Sequence, residues 1–347
     1  YLNFEDYDNI ELRNPLALHQ YIKPLILSDK PTYIFFDEIQ HVKDFPDIIN
    51  SINLKPNVDL YVTGSNAYML SNEIATLLSG RYVEIAMLPL SFKEYVQGCG
   101  GSDNLEKAYT NYITQSSFPY TLALDRPKDI TDYLNGVYNT VVMKDIISRK
   151  KIQDVMMLES VIRFVADNIG NMLSTKRIAD IMTADGRKID QKTVEKYLTS
   201  LCDTFFVYEA KRYNVKGKQL LKTLGKYYLV DVGLRRMLLG GRSFDAGRLL
   251  ENVVYLELLR RQKSVYIGKI DNLEVDFVAI DENDIVYYQV AATVRDEATL
   301  KRELSSLQQI NDQYPKYILT LDEDPEADYD GIKRINALKW LMGEYSI

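Results

Sequence analysis

Two adjacent acids, Asp37 and Glu38, end the apolar run Tyr33-Ile-Phe-Phe36 in a chain of 347 residues. That order has a chemical meaning. A buried strand delivers its last carboxylate rigidly to a sheet edge, where it can hold Mg²⁺ directly or through water. The next carboxylate is then placed to polarise a water that attacks a terminal phosphate. This is the Walker B pattern, with Asp37 on the metal and Glu38 in the catalytic role. An apolar strand that ends in a solvated acidic turn would read the same way. A second apolar run, Leu60-Tyr-Val-Thr63, leads into Gly64-Ser-Asn66. Thr63, Ser65 and Asn66 carry polar atoms that could contact a phosphate or its water, although Gly-Ser-Asn serves a turn equally well. Arg81, in Leu78-Ser-Gly-Arg81, could stabilise charge developing in phosphoryl transfer, or simply be solvated.

The elements that must position these groups are legible as periodicity. Tyr33–Phe36, Leu60–Thr63 and Tyr82-Val-Glu-Ile85 are short continuous apolar runs between helical stretches, which predicts parallel strands buried on both faces. Ser91-Phe-Lys-Glu94, after Pro89, reads as a capping box that opens a helix. Gly98 to Asp103 is a Gly-rich break. From there to about Lys151 the spacing of Tyr109, Tyr112 and Ile113, then Leu134, Val137, Tyr138 and Val141, predicts helices. A helix over Val155–Ile169 follows, then one capped by Ser174 and one capped by Asp190. Two β-like runs, Phe205–Tyr208 and Tyr227–Val230, flank a basic stretch, and three helices before a two-stranded wing is the order of a winged helix-turn-helix. Beyond that come a helix over Leu249–Arg261, strands at Val265–Ile267, Glu274–Val278 and Ile285–Val290, a helix over Leu300–Asn311 and a strand at Tyr317–Leu321.

Composition narrows the class. Hydrophobic residues make up 46% and charged residues 26%, as in ordinary globular proteins. No apolar run approaches bilayer length and no signal-peptide pattern opens the chain. Cys99 and Cys202 have no CxxC spacing, so a disulfide framework and a zinc signature are not expected and a reducing cytoplasm is. His19 and His41 are too few for a histidine-based metal site. The net charge of −7 argues against indiscriminate nucleic-acid binding by the whole chain, but not by one face of it. Arg187, Lys188, Lys192 and Lys196 around the Asp190 helix, with Lys211, Arg212, Lys216, Lys218 and Lys222 in the wing, form a local basic surface suited to DNA. Winged helices also dock proteins, and a solvated wing would carry the same lysines.

Taken in order, FFDEIQHV, VTGSNAYMLS and LSGRYVEIAMLPLSFKEY resemble the bacterial and archaeal AAA-type ATPases that carry a C-terminal domain of unknown function. Lys226-Tyr-Tyr-Leu-Val-Asp-Val-Gly-Leu234 and Gly247-Arg-Leu-Leu-Glu-Asn252 resemble characteristic segments of that domain. The resemblance spans nearly the whole chain. It implies ATP and Mg²⁺ as cofactors, Glu38 and Arg81 as catalytic residues, Asp37 as the metal ligand, and Thr63, Ser65 or Asn66 as the phosphate sensor. It also implies a GxxxxGK[ST] loop ahead of the strand expected at Tyr1–Phe4. The chain's Gly-Lys pairs, at 217, 225 and 268, lack both the following Ser or Thr and the preceding Gly. That loop supplies the phosphate cradle, the lysine and a Mg²⁺ ligand. A chain that starts at Tyr1 instead of Met is therefore expected to be a piece of a longer protein and to bind ATP weakly or not at all.

The C-terminal order of helix, strands and helix resembles the PD-(D/E)xK nuclease fold, in which an acidic pair and a lysine bind Mg²⁺ and activate water. Glu251 matches the helix glutamate and Asp276 the metal-binding aspartate. Gln289-Val-Ala291 stands where acid-x-Lys is expected, so Gln289 marks a degenerate site and cleavage is not expected. An active nuclease with a migrated catalytic residue, Glu274 or Gln289 in an altered role, is the opposing possibility. The expected architecture is α/β: a truncated P-loop NTPase parallel sheet over 1–98, a helical lid over 99–151, a winged helix over 152–232 and a restriction-endonuclease-like α/β domain over 233–347. The expected function is an ATP-dependent regulatory protein. The alternative is a DNA-binding or protein-docking module with vestigial ATPase and nuclease parts. Oligomeric state stays open, since Arg81 acting in trans would require an oligomer and acting in cis would not.

Overall fold

The computed structural model describes residues 1–347 except 28, 65–81, 149–151, 242–244, 262, 283 and 346–347, and leaves aside the side chains of 143–145, 148, 222 and 223. The chain divides into two compact units. The first is Tyr1–Ala86 with Asp203–Phe205, and the second is Met87–Cys202 with Phe206–Ile347.

In the first unit, β1 (Leu2–Asn3), β2 (Thr32–Asp37) and β3 (Val58–Val62) form a parallel sheet in that order. Parallel neighbours require crossovers, supplied by α1 (Pro15–Ile22) and α2 (Phe45–Asn53). Asn14 starts α1, its side chain accepting from the Leu16 and Ala17 amides, with Pro15 preset for the first turn. Leu18 and Ile22 of α1 and Ile48, Ile49 and Ile52 of α2 cluster with Ile34 and Phe36 of β2. The opposite face behaves otherwise. Tyr33 is 62% exposed, Phe35 43% and Tyr61 41%. Phe35 and Tyr61 stack with centroids 4.9 Å apart. Burial on both faces, expected from the continuous apolar run, therefore holds on one face only among the described residues. The expected strand Tyr82–Ile85 has no ladder partner among them, and Val83 and Ile85 are exposed.

The second unit opens on α3 (Phe92–Gly98), whose capping box closes as expected. The Glu94 amide donates to Ser91 Oγ at 3.1 Å and the Ser91 amide to Glu94 Oε2 at 2.8 Å. Then come α4 (Leu105–Gln115), α5 (Pro127–Asn139) running into a π-helical stretch Thr140–Ser148, α6 (Val155–Asp167), α7 (Thr175–Ala184) and α8 (Gln191–Asp203). A hairpin of β4 (Val207–Asn214) and β5 (Gln219–Leu229) follows, then α9 (Val232–Leu239) and α10 (Ala246–Arg260). The chain ends with β6 (Ser264–Ile270), β7 (Leu273–Asp281), β8 (Asp284–Ala291), α11 (Glu297–Gln308), β9 (Lys316–Thr320), β10 (Ala327–Tyr329), β11 (Ile332–Asn336) and α12 (Ala337–Leu341).

All strands after β3 join one eight-stranded sheet, β10-β11-β9-β8-β7-β6-β4-β5. The hairpin is not a free-standing ribbon, because Arg212–Asn214 of β4 pair in parallel with Ile267–Lys269 of β6. The sheet is thus continuous across the expected boundary at 232/233. Both of its faces are covered. Phe277, Tyr288 and Leu319 share a core with Leu250, Val254 and Leu258 of α10. Val278, Tyr287 and Ile318 share another with Leu304 and Leu307 of α11.

Asp231 ties β5 to the helices around it. Fully buried, it caps α9 through the Leu234 amide at 2.8 Å and accepts from the Ser117 amide and hydroxyl at 2.7 Å each. Asp231→Ala orphans three donors and removes a cap, so it is expected to cost about 2–4 kcal/mol. The measurement is equilibrium unfolding followed by the fluorescence of Trp340, the chain's single tryptophan and fully buried in this unit.

Candidate functional site

Asp37 ends β2, and Thr63 directly follows β3, the neighbouring parallel strand. The Thr63 amide donates to the Phe36 carbonyl at 2.8 Å, extending the ladder by one bond. This registration brings the Thr63 hydroxyl onto Asp37 Oδ1, to which it donates, and lets Thr63 Oγ1 accept from the Glu38 amide at 3.2 Å. Tyr1 donates its phenol to Asp37 Oδ2 at 2.7 Å. The Thr63 hydroxyl, then the Tyr1 hydroxyl, hold the Asp37 carboxyl below its ordinary pKa, so it is a ready anion for a hard cation. Glu38 turns away from the strand in the left-handed region, at φ 55°, uncommon for a residue with a side chain. It accepts from Gln40, and its carboxylate lies with Glu5 and His41 in a set whose ligand atoms are all within 4.8 Å of one another. Of the expected phosphate-side groups, the structure brings Asp37, Glu38 and Thr63 together. Ser65, Asn66 and Arg81 lie outside the described residues.

The second unit holds a different cluster. Lys226 of β5 is 3% exposed, and its ammonium meets Glu274 Oε1 at 2.7 Å, Glu251 Oε1 at 2.8 Å and Asp276 Oδ1 at 3.3 Å. Two strands separate β5 from β7 in the ladder, but β4 pairs with β6 only from Arg212 onward, next to a bulge. Lys226 lies opposite Ala210, on the stretch of β4 beyond that pairing, so its side chain is free of the ladder to meet β7. Tyr228 donates to Glu251 Oε1 at 2.6 Å. Asp276 Oδ2 accepts from the Val290 amide at 2.9 Å, and the Asp276 amide donates to Gln289 Oε1 at 2.7 Å. Gln289 passes its own amide to Glu303 at 2.8 Å, and Arg302 closes the network on Glu303. Burial opposes the charge on Lys226, but Glu251, Asp276 and Glu274 outweigh it and hold the ammonium's pKa well above its ordinary value. Burial raises Glu251 from 4.5 to about 7, against the attraction of Lys226.

The structure brings Glu251, Asp276 and Gln289 together, and Lys226 joins them from β5, a strand outside the expected set. The available signal was a lysine at the head of an apolar strand run, Lys226-Tyr-Tyr-Leu-Val230. Glu5, His41 and Tyr1 beside the Asp37–Glu38 tip were also missed, because nothing in their spacing marks them. Lys188, Lys192, Lys196, Lys216 and Lys218 are exposed, and Lys216 pairs with Asp271 at 2.5 Å. The Gly217-Lys218 pair lies at the hairpin turn, Gly225-Lys226 inside β5 and Gly268-Lys269 inside β6, so none opens a helix as a phosphate loop does.

Residues 1–96 match the model of an AAA domain, and residues 106–245 that of a domain of unknown function, DUF8612. An uncharacterized protein of Haemophilus influenzae is 37% identical over 346 residues, covering 99% of this chain and 86% of its own length. The chain belongs to the same family as that protein, with the AAA-domain match confined to residues 1–96. An uncharacterized protein of Methanocaldococcus jannaschii is 29% identical over 301 residues, 82% of this chain and 66% of that protein. Among solved structures, a Walker-type ATPase of Pyrococcus abyssi is 14% identical with a TM-score of 0.41, over 66% of each chain. An AAA-domain chain of this ATPase-like kind would use ATP and Mg²⁺. The Asp37 carboxylate, held as an anion beside the Thr63 hydroxyl at the sheet edge, fits such a metal, while the Glu38 carboxylate lies with Glu5 and His41. No helix among the described residues is long and apolar enough to cross a membrane.

Glu251 gives this AAA-domain chain a definite pH dependence. Its folded pKa of about 7 exceeds its ordinary 4.5. Between those values the folded chain holds a proton that the unfolded chain has released, so stability falls as pH rises through that window. Melting followed by Trp340 is expected to be lower at about pH 8 than at about pH 5, and Glu251→Gln to flatten that difference. Asp231 and Glu303, also raised by burial, leave part of it in place.

Proposed function

We propose that residues 1–98 are the metal-holding and water-polarising part of an AAA-type ATPase that works as a regulatory protein. The observation that carries this reading is the hydrogen bond from Thr63 to Asp37, which joins the tips of two parallel strands at the edge where such sheets bind phosphates. In this reading Asp37 holds Mg²⁺, directly or through water. Glu38 takes the proton from the attacking water, and Thr63 orients Asp37 and senses the terminal phosphate. Ser65 or Asn66 would share the sensing role, and Arg81 would meet the charge that develops on the transferred group. Bound Mg²⁺–ATP supplies the phosphoryl group. The phosphate cradle is expected from a GxxxxGK[ST] loop that these residues lack, so this chain binds nucleotide weakly and a longer form carrying the loop binds it well.

The rest of the chain supports a regulatory attachment. Residues 99–151 would be a helical lid. Residues 152–232 would be a winged helix, in which α6, α7 and α8 precede the β4–β5 hairpin and α8 exposes Lys192 and Lys196. Residues 233–347 would be a nuclease-like domain without cleavage, because neutral Gln289 and apolar Ala291 stand at the expected acid and lysine. DNA is the proposed partner, and a protein docked on the same helices is the competing one. Cys99 and Cys202, neither of them in a disulfide among the described residues, suit a reducing cytoplasm.

ATP turnover by the loop-bearing form tests the first reading. Glu38→Gln should lower kcat by about 10²–10⁴-fold while leaving the nucleotide Kd unchanged. Unchanged turnover would remove Glu38 from the mechanism, and micromolar ATP binding by the 347-residue chain would refute the need for the loop. For the DNA reading, Lys192→Ala with Lys196→Ala should weaken duplex binding and reduce the slope of log K against log salt by about two. An unaltered slope would favour a docked protein.

A further inference from the structure

A cavity of about 180 Å³ lies in the second unit, where the end of α4, helix α9 and the start of α10 meet. Its wall carries two guanidinium side chains, Arg235 and Arg236, and no carboxylate among the described residues, although the chain as a whole has a net charge of −7. Arg235 is 3% exposed and Arg236 is exposed, so the wall runs from a buried cation to solvent. Both are anchored to backbone oxygens. Arg235 Nε donates to the Ala166 carbonyl at 2.8 Å, and Arg236 Nη1 to the Thr114 carbonyl at 3.2 Å. A carbonyl orients a guanidinium without cancelling its charge, and four N–H groups of Arg236 remain beyond that bond. Burial holds the Arg235 pKa below its ordinary value, and Arg248 acts the same way against the pull of Asp167. Ile113, Val232 and Leu249 supply an apolar floor. The fold sets these walls. Gly233 lets α9 close on the end of α4, since a Cβ there would sit 2.5 Å from the Gln115 carbonyl oxygen, and Asp231 fastens the same junction through Ser117. Further along, α9 stops at Gly240 and Gly241, both with positive φ. A Cβ on Gly241 would meet only Arg236 Nε among the described residues, at 4.0 Å, so that guanidinium borders open room.

We infer that this cavity is a binding site for a small organic anion, a carboxylate on a short branched apolar body, with Arg235 and Arg236 meeting the carboxylate and Ile113, Val232 and Leu249 the body. The site goes beyond the ATPase reading and does not rest on it. A guanidinium fork matches a carboxylate through two parallel N–H···O bonds. A wholly apolar void of this size would stay dry and need no guest, but two arginines at the wall favour an anion over an uncharged one. The room is that of about six waters of the liquid, which admits a compact carboxylate and is too small for a nucleotide. An inorganic anion would satisfy the arginines and leave the apolar floor against water, so the body is as much a part of the fit as the charge.

The test is calorimetric titration of the full chain with isovalerate, with its uncharged analogue isovaleramide and with inorganic phosphate. The expected result is one isovalerate site with a Kd of about millimolar order, as suits so small a ligand, and much weaker binding of the other two. Arg236→Gln, at an exposed position, is expected to raise that Kd about tenfold or more. Leu239→Trp, at a half-buried position of the lining, is expected to fill the cavity and abolish binding. Circular dichroism checks that both variants fold, and the isovaleramide comparison needs no variant at all. The proposal is overturned if isovalerate gives no binding up to about 10 mM, or if isovaleramide binds as well. It is also overturned if either folded variant keeps the wild-type Kd. Phosphate binding as tightly as isovalerate would overturn the carboxylate assignment. Loss of ATP turnover in Glu38→Gln bears on none of these outcomes.

Discussion

The second unit depends on neutralising charge inside a sheet that is covered on both faces. Glu251 sits in the middle of α10, whose neighbours Leu250, Val253 and Val254 are all core residues. A carboxylate there is costly unless it is paired and hydrogen-bonded. Lys226 and Tyr228 of β5 meet that need from one strand, and Asn252 adds a paired amide contact, donating to the Leu229 carbonyl at 2.8 Å and accepting from its amide at 2.9 Å. The two segments that carry the family resemblance, Lys226–Leu234 and Gly247–Asn252, are therefore one structural feature: an edge strand fastened to the central helix by charge and amide bonds. The same fastening makes β5 part of the C-terminal sheet even though β4 joins β6 over only three residues.

The first unit treats its acids in the opposite way. Asp37 and Glu38 stand at the open tip of β2, and Asp37 has hydroxyl donors but no ammonium or guanidinium partner among the described residues. Backbone geometry separates the two. Asp37 closes a regular ladder and is aimed by the strand, whereas Glu38 leaves it with a positive φ and is aimed by the turn that follows. Keeping one acid fixed and the other on a turn suits a site in which one group holds a metal and the next handles a proton.

How much of this was legible depends on what each signal encodes. Caps are local, so Ser91, Ser174 and Asp190 were readable and each bonds the amides expected of it. Continuous apolar runs record that a strand is apolar but not what lies over it. Ile285–Val290 is buried throughout because helices cover both faces of its sheet. Tyr33–Phe36 has the same pattern and half of it faces outward, because α1 and α2 pack on one side. Tyr82–Ile85 has the apolar character of a strand but no ladder partner among the described residues, and apolarity alone does not make one. Gln289 and Ala291 lie on one strand, and the cation that meets Asp276, Lys226, comes from another, because a sheet assembles neighbours that sequence spacing does not record.

The contrast between the two acid clusters follows from how each fold can balance charge. At an exposed strand tip, water and hydroxyls suffice, so the seat can stay open to a mobile cation and its charge can be drawn on during chemistry. Around buried Glu251 water serves poorly, and a mobile ion would leave that carboxylate uncompensated each time it departed. A covalently attached ammonium removes that instability, since it is present whenever the sheet is folded. Lys226 thus does for β7 and α10 what a structural metal does in other small folds. A cation fixed in place cannot be released, so the charge balance around Lys226 is permanent, whereas Asp37 is balanced by hydroxyl donors alone.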